Sequence, residues 1–308
     1  MSMREFALID YPFFLLNAKQ EIACLDAETS VLHQQHSKSS VFLQNSIFSR
    51  DHFLSLAVGA LHSPIYLQIR KSGACASLVF LKPAEALQDA FGSWEEVCTY
   101  LGESGVRHIL AHTQDQEQVI DGLELHGFNL YGNFHVWKTN QKPQSVTVQR
   151  DPWQRVPASQ TAEVQVFLDH FLPATNKVLL EHQLERGRVF IFKEKMDVQG
   201  FAQVFSNHGN ALVWLVLDER AVDAPAAVQC LLQRIQHHAA AVCIGMYDFQ
   251  LHNMSMIEGF CEPESKQFQA FVKHLVRFQK STVPALQRVR KKPSKTEWSA
   301  PISHIQKQ

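Results

Sequence analysis

The chain repeats one hydrophobic pattern at an offset of 134 residues, and this repeat restricts its possible folds more than any other feature. Leu78–Leu81 reads LVFL, and Leu212–Leu215 reads LVWL. The apolar stripe of a helix, with the spacing i, i+3, i+4 and i+7, starts at Trp94 and recurs from Val228. Because this offset matches the length of an ordinary domain, the sequence predicts two copies of one fold.

Both copies then continue with the same elements in the same order. Each has a short apolar strand, a short helix that ends before Gly-Phe, and an alternating strand that closes the copy. Glycine directly after the last helical turn is the usual left-handed cap. The predicted pairs are the hairpin strands 65–70 and 199–204, the apolar strands 106–111 and 241–246, the helices 116–126 and 250–258, and the closing strands 134–137 and 268–271.

The elements of the second copy are easier to predict than those of the first. Residues 161–171 and 176–185 predict two helices, and a strand begins at Arg188. In the first copy, residues 31–43 and 48–56 fit a helix or a strand equally well. The predicted division of the chain is an N-terminal domain (1–140), a polar linker (141–152), a C-terminal domain (153–278) and a tail (279–308).

The tail differs from the rest of the chain in charge. It holds seven basic residues and one acidic residue, which leaves residues 1–278 with a net charge of −7. We expect the tail to be disordered and to aid solubility. The alternative is that it docks on an acidic protein, a nucleic acid or the adenosine phosphates of a bound cofactor.

Composition excludes several classes of protein. With 45% hydrophobic residues, the chain can bury a core and is not a disordered protein, and a net charge of −1 gives no strong nucleic-acid signal. No apolar stretch approaches the ~18 residues of a membrane span, and the start lacks a secretory signal, so we expect a cytoplasmic protein. The six cysteines have no Cys-x-x-Cys or metal-site spacing, which predicts reduced thiols and no metal.

The order of elements resembles the GNAT superfamily of N-acyltransferases. The likeness lies in element order and spacing, and it is clearest over Tyr247–Leu275, where a strand end, a short helix, Gly-Phe and closing strands follow one another. It implies an α+β fold with two tandem GNAT-like domains, each a mixed, mostly antiparallel sheet flanked by helices. It also implies transfer of an acetyl or longer acyl group from acyl-CoA to a small-molecule or peptide amine.

The resemblance also places a cofactor site. In the family, two neighbouring strands separate and bond the pantetheine arm of acyl-coenzyme A, and the loop into the next helix bonds the diphosphate. The implied pantetheine contacts are Leu215 and Leu217. The implied diphosphate contacts are Asp223, Ala224, Ala226 and Ala227 in the second copy, and Gln88 and Gly92 in the first.

Both loops depart from the family's pattern, Gln/Arg-x-x-Gly-x-Gly/Ala. The second copy has no glycine there, and Gly92 lies one position late. Asp223 is predicted to cap its helix with a carboxylate, which would repel a diphosphate. Ser93 and Glu96 predict a capping box that would use the same N–H donors. The two loops therefore also fit well-capped structural helices.

The candidate acids follow from the same resemblance. The family's usual acid, a tyrosine late in the short helix, falls at Leu123 and Ser255. Ser255 can orient a water molecule or bond a sulfur, and Tyr247, at the end of the preceding strand, is the nearest phenol. The ordinary alternatives are an exposed helix serine and a packed aromatic residue.

The candidate general bases lie at the ends of the separating strands. Asp218 and Glu219 follow one strand of the second copy, and Asp248 follows the other. His112 takes the corresponding place in the first copy, and an ordinary imidazole pKa of about 6.5 suits a base. The alternatives are solvated turn carboxylates and a histidine bonded to backbone.

Three functions fit these residues. The first is an acyl-CoA-dependent N-acyltransferase whose second copy holds the working site. The second is a catalytically silent tandem GNAT-like module that binds a partner protein or peptide in the same cleft. The third is a transferase that takes its acyl group from an acyl carrier protein, for which the basic tail would be a docking element.

Overall fold

The computed structural model describes residues 2–275 apart from several short segments, and the predicted tail (279–308) and most of the predicted linker lie outside the described residues. The segments left out are 17–19, 50–51, 60–63, 90, 115, 141–150, 158–161, 173–176, 182–185, 195–196, 208 and 222. We call residues 2–139 the N-terminal half and residues 153–275 the C-terminal half.

Thirteen strands of the described residues form one sheet, built from runs rich in β-branched and aromatic side chains. They are β1 (Ser2–Glu5), β2 (Ala23–Cys24), β3 (Phe53–Gly59), β4 (Ile65–Ser72), β5 (Cys75–Lys82), β6 (His108–Thr113), β7 (Asn129–Thr139), β8 (Trp153–Val156), β9 (Arg188–Glu194), β10 (Asp197–Asn207), β11 (Asn210–Leu217), β12 (Ala241–Tyr247) and β13 (Cys261–His274).

Helices cover both faces of this sheet. Side chains that point to opposite faces of one strand therefore pack against different helices. On β12, for example, Ile244 packs with the helix after β11, whereas Tyr247 packs with helices of the opposite face. The helices are α1 (Tyr11–Leu16), α2 (Ala27–Leu32), α3 (Lys38–Phe48), α4 (Ala86–Asp89), α5 (Phe91–Glu103), α6 (Glu117–Leu125), α7 (Ala162–Phe171), α8 (Lys177–Glu181), α9 (Ala224–Gln236) and α10 (Met254–Ile257), and 3-10 turns cover Leu8–Asp10, Asp248–Asn253 and Glu258–Phe260.

The sheet is mixed and mostly antiparallel, as the sequence predicts. Its order is β1-β3-β4-β5-β6-β13-β7-β12-β11-β10-β9-β8, with β2 beside β5. The two parallel neighbours are β5 with β6 and β11 with β12. Helix α5 connects the first pair and α9 the second, because parallel neighbours need a crossover connection. The predicted α+β class is confirmed, and the division into two domains stays a prediction.

The two halves exchange their last strands. Strand β13 lies between β6 and β7, and β7 pairs in turn with β12. As a result, Trp137 of β7 is buried in the core of the C-terminal half, and Phe271 of β13 is buried in the core of the N-terminal half. The closing strands predicted at 134–137 and 268–271 are present within β7 and β13, but each pairs with strands of the other half.

Residues 31–43 and 48–56 of the first copy fit a helix or a strand in the sequence analysis. In the structure this part of the chain is helical up to Phe48 and extended from Phe53. Asp26 caps α2 by accepting a hydrogen bond from the Thr29 N–H at 2.9 Å, and Ser37 caps α3 through Ser40. Strand β3 follows from Phe53. The second predicted short helix (250–258) is only partly α-helical, because a 3-10 turn occupies residues 248–253.

Gly245 allows β12 to pass closely over the ring of Phe134 on β7. A Cβ atom at Gly245 would overlap Cζ of that ring and lie 3.0 and 3.1 Å from its Cε2 and Cε1 atoms. The Phe134 ring also packs against Tyr247, with centroids 4.8 Å apart, so it has little room to move. We expect Gly245→Ala to lower the free energy of unfolding by about 1–3 kcal/mol in urea denaturation.

Gly102→Ala is the matched control for this prediction. A Cβ atom at Gly102 in α5 would have no atom within 4 Å, and alanine favours a helix more than glycine does. The control protein is therefore expected to be as stable as the wild type or more stable. Equal stabilities of the two variants would contradict the close packing at Gly245.

Candidate functional site

The parallel strands of each half separate beyond a defined residue pair. Pairing of β5 with β6 ends at Ser77 and Leu110, and pairing of β11 with β12 ends at Trp214 and Gly245. All four strands continue past these pairs. We call the resulting gaps the N-terminal opening and the C-terminal opening; they are where the resemblance places a pantetheine arm.

The backbone of the chain itself fills the N-terminal opening. Strand β2 pairs with the outer part of β5, and the next residue, Leu25, bonds both separated strands. The Leu25 N–H donates to the Val79 carbonyl at 2.8 Å, and the Leu25 carbonyl accepts from the His112 N–H at 2.9 Å. Leu25 is fully buried. The polar backbone groups that a ligand would use here are bonded to β2 and Leu25.

Two amide side chains fill the C-terminal opening. Gln250 donates from Nε2 to the Leu215 carbonyl at 2.9 Å and accepts the Tyr247 N–H at 3.0 Å, so it bridges the two strands. Asn253 donates to the Leu217 carbonyl at 3.0 Å. Both side chains are buried. The carbonyls of the predicted pantetheine contacts Leu215 and Leu217 are therefore already bonded.

Sequence reasoning missed Gln250 and Asn253. They follow the end of β12 at a spacing of three residues, which brings two side chains of a 3-10 turn to the same face. This spacing of two amide side chains, directly after a strand that ends in a tyrosine, is the sequence feature that could have indicated their role. Their partners on β11 lie about 35 residues away in sequence, which hides the contact from local patterns.

The loop before α9 offers few free N–H groups to a diphosphate. The Ala224 and Ala227 N–H groups donate to the carbonyls of Ala221 and Asp223, and Pro225 has none. Asp223 stands at the N-cap, as predicted. Its carboxylate makes no capping hydrogen bond, so the predicted capping by this carboxylate is wrong. The Asp223 backbone N–H donates to the Glu194 carboxylate at 3.2 Å.

The corresponding loop of the N-terminal half differs from the prediction. Helix α5 begins at Phe91, so Gly92 and Ser93 are helical residues. The predicted capping box is wrong, because a capping residue needs a non-helical backbone and Ser93 lies two residues inside the helix. Gln88 belongs to α4, and its side chain is outside what the structure describes.

Two candidate residues that the sequence assigned to different copies meet in the structure. His112 Nε2 and the Tyr247 hydroxyl share a hydrogen bond at 3.1 Å, and both side chains are buried. Phe134 packs against both rings, with centroid distances of 5.9 Å to His112 and 4.8 Å to Tyr247. Phe249 stacks on Tyr247 at 5.6 Å. The exchange of strands brings these residues together, since β7 and β13 connect β6 to β12.

The environment of this pair keeps both groups neutral. Burial lowers the pKa of the His112 imidazole to about 4, although Asp26 opposes the shift. Burial, together with Asp26, raises the pKa of the Tyr247 phenol. His112 Nδ1 has no hydrogen-bond partner among the described residues. At neutral pH the pair is therefore a phenol bonded to a neutral imidazole.

The remaining catalytic candidates do not join this pair. Asp248 accepts hydrogen bonds from the Asn133 N–H and side chain at 2.8 Å and from His135 Nε2 at 2.6 Å, so it holds the exchanged strand β7. Ser255 on α10 and Glu219 after β11 are exposed, whereas Tyr247 is buried. Asp218 accepts a hydrogen bond from the Arg220 N–H at 2.9 Å.

A partly buried cluster of charged residues, missed by the sequence reasoning, connects the halves. Arg70 on β4 donates to Asp26 at 2.9 Å and to Glu28 at 3.1 Å, and Arg186 of the C-terminal half donates to Glu28 at 2.8 Å. Burial alone would raise the pKa of the Asp26 carboxyl, but Arg70 and the Thr29 hydroxyl stabilise its charged form and lower its pKa to about 2. We call Asp26, Glu28, Arg70 and Arg186 the ion cluster.

Three members of the ion cluster, Glu28, Arg70 and Arg186, line a cavity of about 900 Å³ between the halves. One wall comes from α2, α3 and the end of β4, and the other comes from residues 186–188 and the end of β10. Phe53 and Phe205 supply apolar surface on opposite walls. None of the residues that close the two openings lines this cavity.

Comparison with known proteins finds neither a protein-family model nor a curated protein that matches the chain. Solved structures do match. A GCN5-related N-acetyltransferase from Sphaerobacter thermophilus aligns with 89% of this chain and 95% of its own, at 10% identity and a TM-score of 0.50. A putative acetyltransferase from Pyrococcus horikoshii aligns with 89% of each chain, at 15% identity and a TM-score of 0.49.

A tandem GNAT protein from the clavulanic acid biosynthesis pathway aligns with 89% of this chain and 98% of its own, at 11% identity and a TM-score of 0.47. At sequence identities of 10–15%, a structural match is evidence for the fold alone. The match that supports a shared fold is the one to the Sphaerobacter thermophilus protein, at a TM-score of 0.50. The chain has the fold of the GNAT acetyltransferases. In the part of the chain that the structure describes, no helix is long and apolar enough to cross a membrane.

Proposed function

We propose that the chain is a ligand-binding protein with the GNAT fold and that it does not transfer acyl groups from coenzyme A. The observation that carries this proposal is the closure of both openings by the chain itself. Leu25 bonds the separated strands of the N-terminal half, and Gln250 bonds those of the C-terminal half. The residues present therefore do not fit a pantetheine arm in either opening.

The energetic cost of admitting such an arm differs between the halves. In the C-terminal opening, a ligand must replace three buried side-chain hydrogen bonds, and each buried group left unsatisfied costs about 1–3 kcal/mol. In the N-terminal opening, it must displace a paired backbone segment and the fully buried Leu25 side chain, whose burial adds roughly 1.5–3 kcal/mol. The C-terminal opening is therefore the more accessible of the two.

Two further features argue against acyl transfer from coenzyme A. The start of α9 has Asp223 and Glu194 beside it, and both carboxylates oppose a diphosphate. The Tyr247–His112 pair is buried beside the rings of Phe134 and Phe249, and neither residue lines the cavity next to the ion cluster. A donor bound to an acyl carrier protein meets the same obstacle, because it too is a pantetheine thioester.

The test is binding of acetyl-CoA, free coenzyme A and S-acetylpantetheine, measured by thermal denaturation and calorimetry. A ligand at 100 times its dissociation constant stabilises a protein by about 2.7 kcal/mol, and we expect no such shift with millimolar ligand. Thiol release from acetyl-CoA in the presence of a panel of amines should equal the uncatalysed rate.

Two matched variants decide the meaning of a positive result. Ala226→Glu places a carboxylate at the exposed start of α9, and Ala162→Glu places one at the exposed start of α7. Acetyl-CoA binding that Ala226→Glu abolishes and Ala162→Glu preserves would overturn the proposal and assign the cofactor to the C-terminal half.

A GNAT-type N-acyltransferase that transfers acetyl or longer acyl groups to an amine is the second candidate. One observation favours it: the phenol of Tyr247 is hydrogen-bonded to an imidazole at the end of the strand pair that separates. Such a pair can supply a proton to a leaving group, which is the role assigned to Tyr247 from the sequence. Turnover in the assay above would support this candidate.

A further inference from the structure

We propose that the cavity between the halves binds a small organic oxyanion, a carboxylate or a phosphate, and that Arg186 is its principal contact. This inference rests on the proposed ligand-binding function and names the site and the class of ligand. The ligand would lie between α2, α3 and the ends of β4 and β10, about 900 Å³ of space lined by both halves.

The first argument is the charge of the lining. Among the described lining residues, the cationic ones are Arg70, Lys71, Arg186 and Arg188, and the carboxylate is Glu28, which gives a formal charge of +3. Residues 1–278 together carry −7. A concentration of positive charge in a cavity of an acidic protein attracts anions and raises their local concentration.

The second argument is an excess of hydrogen-bond donors. A guanidinium group has five N–H donors, and Arg70 and Arg186 share the Glu28 carboxylate. Arg186 Nη1 and Arg70 Nε have no hydrogen-bond partner among the described residues, although both atoms are buried. A carboxylate or phosphate can accept two parallel N–H bonds from one guanidinium, and it would reach these buried donors by displacing the Glu28 carboxylate that the two arginines share.

The third argument is that the site is built before a ligand arrives. Arg70 is 6% exposed and fixed by Asp26 and Glu28, and its guanidinium lies 5.9 Å from the Phe53 ring centroid. The Arg186 guanidinium is 5.6 Å from the Phe205 ring centroid, and its side chain remains 22% exposed. Binding a ligand therefore costs little conformational entropy in these groups, and the two rings face its carbon skeleton.

Calorimetric titration of the wild-type protein with citrate and with inorganic phosphate tests the proposal. Binding of either probe supports the proposal, and the tighter binder of the two indicates whether the site prefers a carboxylate or a phosphate. Glycerol at the same concentration is the uncharged control and should give no heat of binding. If neither anion binds at millimolar concentration, the inference is overturned. That result would leave the proposal on acyl-CoA untouched, because that proposal is tested by acetyl-CoA and Ala226→Glu.

Variants locate the site. Arg186→Gln is expected to weaken anion binding by at least about tenfold, which is about 1.4 kcal/mol. The control, Arg155→Gln, removes the same charge from an exposed position of the edge strand β8 and should bind as the wild type does. Equal affinities of Arg186→Gln and Arg155→Gln would overturn the assignment.

Glu28→Gln is expected to change anion affinity in the direction opposite to Arg186→Gln. It removes the carboxylate that competes for Arg186 and raises the formal charge of the lining by one unit. We expect it to bind the anion more tightly than the wild type even though its melting temperature falls. Weaker binding by a folded Glu28→Gln protein would contradict the electrostatic basis of the site.

Discussion

Replacing Arg70 by methionine is expected to lower the free energy of unfolding by about 3–5 kcal/mol. The Arg70 guanidinium is buried and is the partner of two carboxylates, Asp26 and Glu28. Methionine fills much of the same volume but leaves Asp26 uncompensated in a region of low dielectric constant. Urea unfolding at neutral pH, followed by circular dichroism, measures the loss.

Two control proteins separate the buried charge from other effects. Arg234→Met breaks an exposed ion pair with Asp151 and should cost less than about 1 kcal/mol. Adding Asp26→Asn and Glu28→Gln to Arg70→Met removes the buried carboxylates and should recover a large part of the lost stability. If Arg70→Met costs no more than Arg234→Met, the ion cluster does not stabilise the fold.

The ion cluster links stability to the proposed ligand site. Glu28 is bonded to Arg70 of its own half and to Arg186 of the other, so it holds the two walls of the cavity together. The same carboxylate occupies donors that an anion would use. A bound oxyanion therefore competes with a contact that stabilises the protein, and the two effects of Glu28→Gln, lower stability and tighter binding, have one cause.

Much of the fold follows from the repeat. The offset of 134 residues correctly aligns β5 with β11, α5 with α9 and β6 with β12, because hydrophobic spacing distinguishes these helices from these strands. It also aligns Trp137 with Phe271. Both side chains are buried, as the alternating pattern of a closing strand allows.

Periodicity does not indicate which partner a strand chooses. Trp137 and Phe271 would be equally buried beside their own half or beside the other, since the alternation of side chains is the same in both arrangements. The exchange of β7 and β13 depends on contacts between residues more than 100 positions apart. For this reason the meeting of His112 with Tyr247 was not predictable from either copy alone.

The candidate site shows the same limit. The positions of Leu215 and Leu217 at the end of a strand are correct, because strand ends leave a signal in the sequence. The closure of the opening by Gln250 and Asn253 is a side-chain-to-backbone contact between distant segments. Polar residues are common in turns whether or not they reach a distant strand, so their presence alone does not predict this contact. The departures from the family's loop pattern concern the diphosphate loops and do not predict this closure.

Protonation of His112 is expected to remove about 3 kcal/mol of stability between pH 6.5 and pH 4. In the folded protein its pKa is about 4, whereas the unfolded chain has the ordinary value of 6.5. The unfolded state therefore binds the proton first as the pH falls. The contribution is fully present above pH 6.5 and is lost as the pH falls to 4. Asp26, Glu28, Arg70 and Tyr247 are the charged and titratable groups that face the ring.

The variant His112→Gln isolates this contribution, because glutamine can still bond the Tyr247 hydroxyl but does not titrate. Burial also lowers the pKa values of His108 and His126, and these residues are present in both proteins, so their effects cancel in the difference. We expect the stability difference between wild type and His112→Gln to shrink steadily from pH 6.5 to pH 4. The His52→Gln protein, which lacks an exposed imidazole, is measured in parallel as the control. Parallel profiles for wild type and His112→Gln would mean that His112 is accessible to protons in the folded state, which would favour a catalytic role for the Tyr247–His112 pair over a structural one.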